Sequence, residues 1–390
     1  MEEFFDPIDL NEILPTEEEE DHRRIGDLVR LFTEDGTFPE LAQADMALIG
    51  VTEDRNAVEN EGCGQGPDFI RKYLYKLYPG TFNPRLIDLG NLKRGNTVKD
   101  TYFALTSTVT ELLNANIIPV ILGGSQDLTY ANYQAYQSLG QIINIVSIDN
   151  MFDLGKSEGE LSSQSWLSSI ILHQPNYLFN YANIGFQTYF IDQEALKLMN
   201  NLFFDTYRLG IVRADLEEVE PIVRNADVLS FDISSVRNSD APGNRNTTPN
   251  GFYGEEACQI VRYAGLSDKL SSIGFYEYNP KFDHDGQTAH LIAQMIWYFM
   301  EGFYSRPHDF PFRNEEDYLK YHVTVSDHQQ NITFYKSKKT DRWWMEIPLP
   351  ADQRAKYERH YLVPCSYKDY QQATHEEIPD RWWMVYQKLM

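Results

Sequence analysis

The chain has 390 residues, 42% of them hydrophobic, and its 58 acidic side chains against 34 basic ones leave a formal charge of −24. Such a surface repels nucleic acid and anionic membranes, so neither is expected as a partner. No run approaches the roughly 18 apolar residues of a membrane span, and the opening MEEFFDPIDLNEILPTEEEEDHRR lacks the basic start and unbroken apolar stretch of a signal peptide.

Residues 1–43 are acidic, with four glutamates at 17–20, and read as an arm ahead of the first strand. At ADMALIGV (44–51) a rhythm of apolar β-rich runs, Gly-containing loops and helical spacings begins. DFIRKYLYKLY (68–78) carries apolar residues at helical intervals behind GQGP, whose Pro67 suits a first helical turn. The predicted helix TYFALTSTVTELLNANI leads into the strand IPVILGG (118–124). NIVSID, NYANIGF, YRLGIV, ADVLSFDI and KLSSIGFYEY read as further strands, ahead of a long helix at 287–304. Strands alternating with helices predict right-handed crossovers and an α/β fold with a mostly parallel sheet, whose ligands gather at the carboxyl ends of the strands. The three cysteines, Cys63, Cys258 and Cys365, form neither a disulfide framework nor a Cys-x-x-Cys pair, which fits a reducing cytoplasm.

Four strand exits carry GGSQD (123–127), DNMFD (149–153), DISS (232–235) and EYNP (277–280). One aspartate after a strand is ordinarily a helix cap or a turn former. Asp149, Asp153, Asp232 and Glu277 at several exits of one sheet repel one another, and so need a cation, a shared proton or an arginine.

In order along the chain, IGVTEDRNAVENEGCGQGPDFIR, GGSQD, DNMFD, SFDISSVRNSDAPG and EYNP resemble the motifs of the ureohydrolase family of arginase, agmatinase and formimidoylglutamase, over residues 44–304. The resemblance implies a three-layer α/β/α arginase-like fold for residues 44–305. It also implies hydrolysis at an amidine or guanidine carbon by a hydroxide shared between two manganese ions. Carried over position by position, it places first-metal ligands at Gln126, Asp149, Asp153 and Asp232. Asp149 and Asp232 would also face a second metal, whose remaining ligands fall on Met151 and Ser234. Both family histidines and one carboxylate are thus replaced. A thioether and a neutral hydroxyl do not suit Mn²⁺ or Mg²⁺, so the second site is expected to be very weak or absent. The first set consists of oxygen donors acceptable to one hard cation. Arg237 stands where the family has an aspartate, and its guanidinium is an alternative neutraliser. One divalent cation (Mn or Mg) and none at all both stay open.

Glu277 matches the family glutamate that meets substrate nitrogens, so a cationic small molecule is an expected ligand, although a carboxylate held by a backbone turn is an equally simple reading. The stretch GELSSQSW (159–166) has no histidine where many relatives carry a proton shuttle, and APGNRNTTPNG (241–251) shapes the pocket mouth with altered spacing. The implied function is that of a pseudoenzyme with a degenerate dimetal site, kept for ligand or protein binding. The alternative is an active single-metal C–N hydrolase, formimidoylglutamase- or arginase-like, with Asp149 and Asp232 as its working carboxylates. Relatives commonly form trimers or hexamers, so an oligomer is compatible with the resemblance.

From residue 306 the family pattern ends, and HVTVSD, NITFYKS and RWWMEIP read as short strands of a small β-containing unit spanning 306–390. DRWWM occurs at 341–345 and again at 380–384, holding four of the six tryptophans, with Tyr361, Tyr367, Tyr370 and Tyr386 nearby. Two readings stand: an aromatic core docked on the main domain, or a recognition surface for a protein partner.

Overall fold

The computed structural model describes residues 1–13, 23–155, 160–311, 315–325 and 330–389. Among the described residues, fourteen strands form in chain order: β1 (Phe5–Asp6), β2 (Arg30–Leu31), β3 (Met46–Val51), β4 (Leu86–Leu92), β5 (Ile118–Leu122), β6 (Ile143–Ile148), β7 (Leu178–Phe186), β8 (Asp205–Arg208), β9 (Val228–Asp232), β10 (Ser272–Tyr276), β11 (Tyr318–Val325), β12 (Gln330–Ser337), β13 (Trp343–Glu346) and β14 (Leu362–Cys365). The first ten make one sheet in the order β1-β4-β3-β5-β10-β9-β6-β7-β8, with β2 beside β4 and only β1 antiparallel to its neighbour.

Alternation along each central strand feeds two cores. Met46, Leu48, Val120 and Leu122 face the helices Gly66–Leu74, Gly254–Gly265 and Gln287–Tyr304. Ala47, Ile49, Val51 and Ile121 face the helices Val98–Asn114 and Leu128–Ser138 on the other side. This period of two, with helices over both faces, is the three-layer arrangement expected from the sequence. The helix at 98 starts where Thr97 and Asp100 cap each other: the Asp100 N–H donates to Thr97 Oγ1 at 3.3 Å, and the Thr97 N–H to Asp100 Oδ2 at 2.7 Å. None of the described helices is long and apolar enough to cross a membrane.

Some elements differ from the sequence reading. In YRLGIV only the start is strand; Leu209–Ala214 turns helical, burying Leu209 and Val212 at a spacing of three. β4 escapes a hydropathy reading because it carries Asp88 and Asn91. Their polarity is met by the buried Arg71, which donates to Asp88 from Nε at 2.8 Å and Nη2 at 2.9 Å. Residues 1–13 and 23–43 supply β1 and β2 and bury Phe5, Ile8, Ile13, Ile25 and Val29; the four glutamates at 17–20 lie outside the described residues.

The last four strands form a separate antiparallel sheet, β11-β12-β13-β14. The two DRWWM copies take different structures: the first enters β13, and the second lies in the helix Asp380–Leu389. Neighbouring packing thus overrides local preference. Trp343, Trp344 and Trp382 are buried, while Trp383 and Tyr367 stay exposed.

This unit sits against the amino ends of β6, β7 and β9, away from the strand exits. The buried Arg224 lies 4.4 Å from the ring centroid of Trp344, and its Nη2 donates to the carbonyls of Trp343 (3.2 Å) and Cys365 (3.4 Å). Asp227, fully buried just before β9, pairs with Arg359 and, at 3.6 Å, with Lys269. Removing residues 306–390 would expose Trp-facing surface and strip Asp227 of a cation. The chain 1–305 is therefore expected to be insoluble or to melt well below the full-length protein. Arg224→Ala is expected to cost about 3 kcal/mol, since it removes a buried charged partner. Urea unfolding checks both, and a truncated chain as stable as the whole would refute this account of the seam.

Candidate functional site

The exits of β5, β6, β9 and β10 converge. Gly123 and Gly124 carry the chain from β5 against the backbone of Glu53, so closely that a Cβ on Gly124 would lie 1.9 Å from the Glu53 carbonyl oxygen. Gln126 follows, with its N–H donating to Glu277 Oε1 at 2.9 Å. Its Nε2 is held by two serine hydroxyls, Ser147 Oγ at 3.3 Å on β6 and Ser230 Oγ at 3.2 Å on β9. Asp149 Oδ1 accepts from the Met151 N–H at 2.9 Å, Asp153 Oδ2 from the Trp166 indole at 2.9 Å, and Asp232 Oδ1 from the Ser234 N–H at 2.7 Å. Glu277 Oε2 accepts from Asn60 Nδ2 at 2.7 Å. Asp153 and Glu277 both adopt left-handed backbone (φ 49° and 67°), an unfavourable conformation for non-glycine residues that gathers at functional loops.

Gln126, Asp149, Asp153, Asp232 and Glu277 are each at most 8% exposed. Burial raises all four carboxyls. Asp149 is pushed well above the carboxylate range by burial and then by the charge of Asp153. Asp153 rises to about 7, again chiefly through burial. Asp232 and Glu277 are pushed well up by burial first, then by Asp149 on Asp232 and by Asp232 on Glu277. Without a bound cation, then, protons and neutral N–H donors satisfy this cluster.

The arginine alternative is not met. Arg237 Nε donates to Asp240 Oδ1 at 2.9 Å, and its guanidinium lies 3.9 Å from the ring centroid of Tyr253, because Asp240 is only three residues away. Met151 acts here through its backbone: besides the bond to Asp149, its carbonyl accepts from Asn183 Nδ2 at 2.6 Å. Ser234 Oγ accepts from Asn150 Nδ2 at 3.3 Å. A second hard cation would therefore find two carboxylates, a thioether and an occupied hydroxyl, which does not fit. One cation fits the donor chemistry better. Asp149 Oδ2 is buried with no hydrogen-bond partner, and Gln126, with its nitrogen held by two serines, has a carbonyl oxygen left to offer. Among the described residues, no group of three or more His, Cys, Asp or Glu side chains is arranged to hold a metal ion, and loading would have to displace protons from carboxyls whose pKa values burial raises.

Asn60, Trp166, Ser147 and Ser230 also belong to the site, and the sequence reading missed them. A detectable signal existed for the serines, since each is the lone hydroxyl of a wholly buried strand.

A model of the arginase family matches residues 44–301, which leaves the C-terminal sheet outside the match. Formimidoylglutamase of Staphylococcus aureus (strain MSSA476) is 25% identical over 283 residues, covering 68% of this chain and 91% of that protein. Two solved structures share the fold. Formimidoylglutamase from Bacillus subtilis gives a TM-score of 0.66 at 18% identity, over 75% of this chain and 96% of its own. Trypanosoma cruzi formiminoglutamase with Mn²⁺ gives 0.63 at 20% identity, over 73% and 99%.

Linkage fixes the pH response of the metal-free protein. A carboxyl whose folded pKa lies above its unfolded value contributes stability that is fully present below the unfolded value and is lost progressively as pH rises through the folded one. For Asp153, raised from 3.8 to about 7, the window is pH 4 to 7. The loss attached to this group is about 4 kcal/mol. Chelator-treated protein should unfold at lower urea at pH 8 than at pH 5, and Asp153→Asn should reduce that difference, with Asp149, Asp232 and Glu277 retaining the remainder. Equal midpoints at both pH values in the unaltered protein would contradict the buried cluster.

Proposed function

The chain belongs to the arginase family, and from that premise we propose that it is a catalytically impaired member, with at most one hard-cation site, retained for binding a ligand or a protein. The observation that carries this reading is the donor set at the second cation position, where Met151 and Ser234 replace charged or imidazole ligands. A divalent cation pair, when bound, lowers the pKa of bridging water and stabilises charge that develops during attack. In this chain Gln126, Asp149, Asp153 and Asp232 would hold a single ion. Trp166 and the Ser234 N–H would orient two of those carboxylates. Glu277, fixed by Asn60 and the Gln126 N–H, would receive a cationic nitrogen of the ligand. Within the same proposal, residues 44–305 form the ligand-binding domain of a cytoplasmic protein, and the exposed Trp383 and Tyr367 of the 306–390 unit offer contacts to a protein partner.

Protein purified with Mn²⁺ and never exposed to chelator should release no urea, ammonia or formamide from arginine, agmatine, guanidino acids or N-formimino-L-glutamate at ordinary enzyme rates. Turnover above about 1 per second would end the reading. Elemental analysis should find at most one Mn per chain. The triple variant Gln126→His, Met151→His, Ser234→Asp should raise that toward two; unchanged stoichiometry would show that more than these donors has been lost.

A second reading, an active single-metal amidine hydrolase, is favoured by one observation, the unpartnered buried Asp149 Oδ2. It requires one Mn per chain and loss of activity in both Asp149→Ala and Asp232→Ala. Metal-free protein with unchanged activity would exclude it.

A further inference from the structure

The sheet of the appended unit has one open side. β14 is held by Arg224 through the Cys365 carbonyl, whereas β11 ends the order β11-β12-β13-β14 and, among the described residues, pairs with β12 alone. Its register with β12 runs unbroken from Tyr318 opposite Ser337 to Val325 opposite Gln330. Continued by one residue, that register sets Asp317 opposite Lys338, whose N–H donates to the Asp317 carbonyl at 2.9 Å. Hydrogen-bonded pairs alternate along an antiparallel ladder. Leu319, Tyr321, Val323 and Val325 therefore bond β12, while Tyr318, Lys320, His322 and Thr324 turn their N–H and C=O groups outward. His322 and Thr324 are exposed, and among the described residues no other backbone group meets them on that side.

Sheet edges are ordinarily blunted by proline, a bulge, shortness or charge. β11 is eight residues long, with no proline, no register shift and no carboxylate; Lys320 is its one formal charge. On the face that carries the core, Tyr321 and Val323 are half-buried and Leu319 is 42% exposed, so an apolar row is left incomplete at the rim.

Charge limits what can complete it. Residues 306–390 hold 13 basic and 13 acidic side chains, so the whole formal charge of −24 resides in residues 1–305. Two copies meeting through the main domain repel one another, and through the neutral unit they do not. One antiparallel register makes β11 its own complement. With Tyr321 on the two-fold axis, Leu319 faces Val323 of the second copy, Tyr318 faces Thr324, and Lys320 faces His322 rather than another lysine.

We infer that the β11 edge is a dimerisation surface, on which a second copy of this chain pairs antiparallel and joins the two appended sheets into one. The inference is independent of what the buried carboxyls bind.

Light scattering on the size-fractionated full-length protein tests it. The parent should have twice the mass of His322→Pro, which removes an outward N–H and no bond to β12. Leu319→Lys should weaken association at least about tenfold, by setting an ammonium against Val323 of the second copy. Position 319 is exposed, so this variant should melt with the parent even where the proline variant does not. The halving is expected whatever assembly the main domain forms by itself. In hydrogen exchange, the His322 and Thr324 amides should be slower in the parent than in Leu319→Lys, and the Tyr321 and Val323 amides should match. A parent with the same mass as both variants, or His322 and Thr324 amides that exchange equally fast in parent and Leu319→Lys, overturns the inference.

Discussion

Four carboxyls buried at the exits of one sheet are the constraint around which this end of the molecule is arranged. Charged and unpaired, they would each carry a large desolvation cost, and their mutual repulsion would add to it. The protein meets the problem with neutral donors. Backbone N–H groups of Gln126, Met151 and Ser234, the indole of Trp166 and the amide of Asn60 each take one carboxyl oxygen. Protons held by the raised pKa values supply the rest. The loops can thus hold their shape without an ion.

How much of this was legible in the sequence follows from what each signal depends on. The helix Gln287–Tyr304 was readable at both ends because a continuous amphipathic pattern is a local property. β4 was not, because the partner that makes Asp88 tolerable is Arg71, on a different element. DRWWM is the sharpest case: one pentapeptide becomes a strand at 343 and a helix at 382, so its structure is decided by the surface it packs on. At the site, Gln126, Asp149, Asp153, Asp232 and Glu277 could be picked out from motif order. The residues that satisfy them could not, since Trp166 and Asn60 meet the carboxyls only through tertiary contacts.

Asp227 and the four-carboxyl cluster answer the same electrostatic problem in opposite ways. At the amino end, Asp227 is as buried as Asp149, and burial pushes its pKa upward, yet Lys269 and Arg359 outweigh that and hold the group below the ordinary carboxylate range. Asp227 is therefore charged and paired. Around Asp149, Asp153, Asp232 and Glu277 no cation among the described residues plays that part, and burial raises all four. The difference lies in which neighbours the chain supplies: Arg359 comes from the C-terminal unit, outside the stretch that matches the arginase family. The appended unit brings cationic side chains to the amino ends of β6 and β9. A cation introduced among Asp149, Asp153 and Asp232 would have to compete with protons on these raised carboxyls, so its affinity must rise with pH. No such competition exists around Asp227, whose cations are covalently part of the fold.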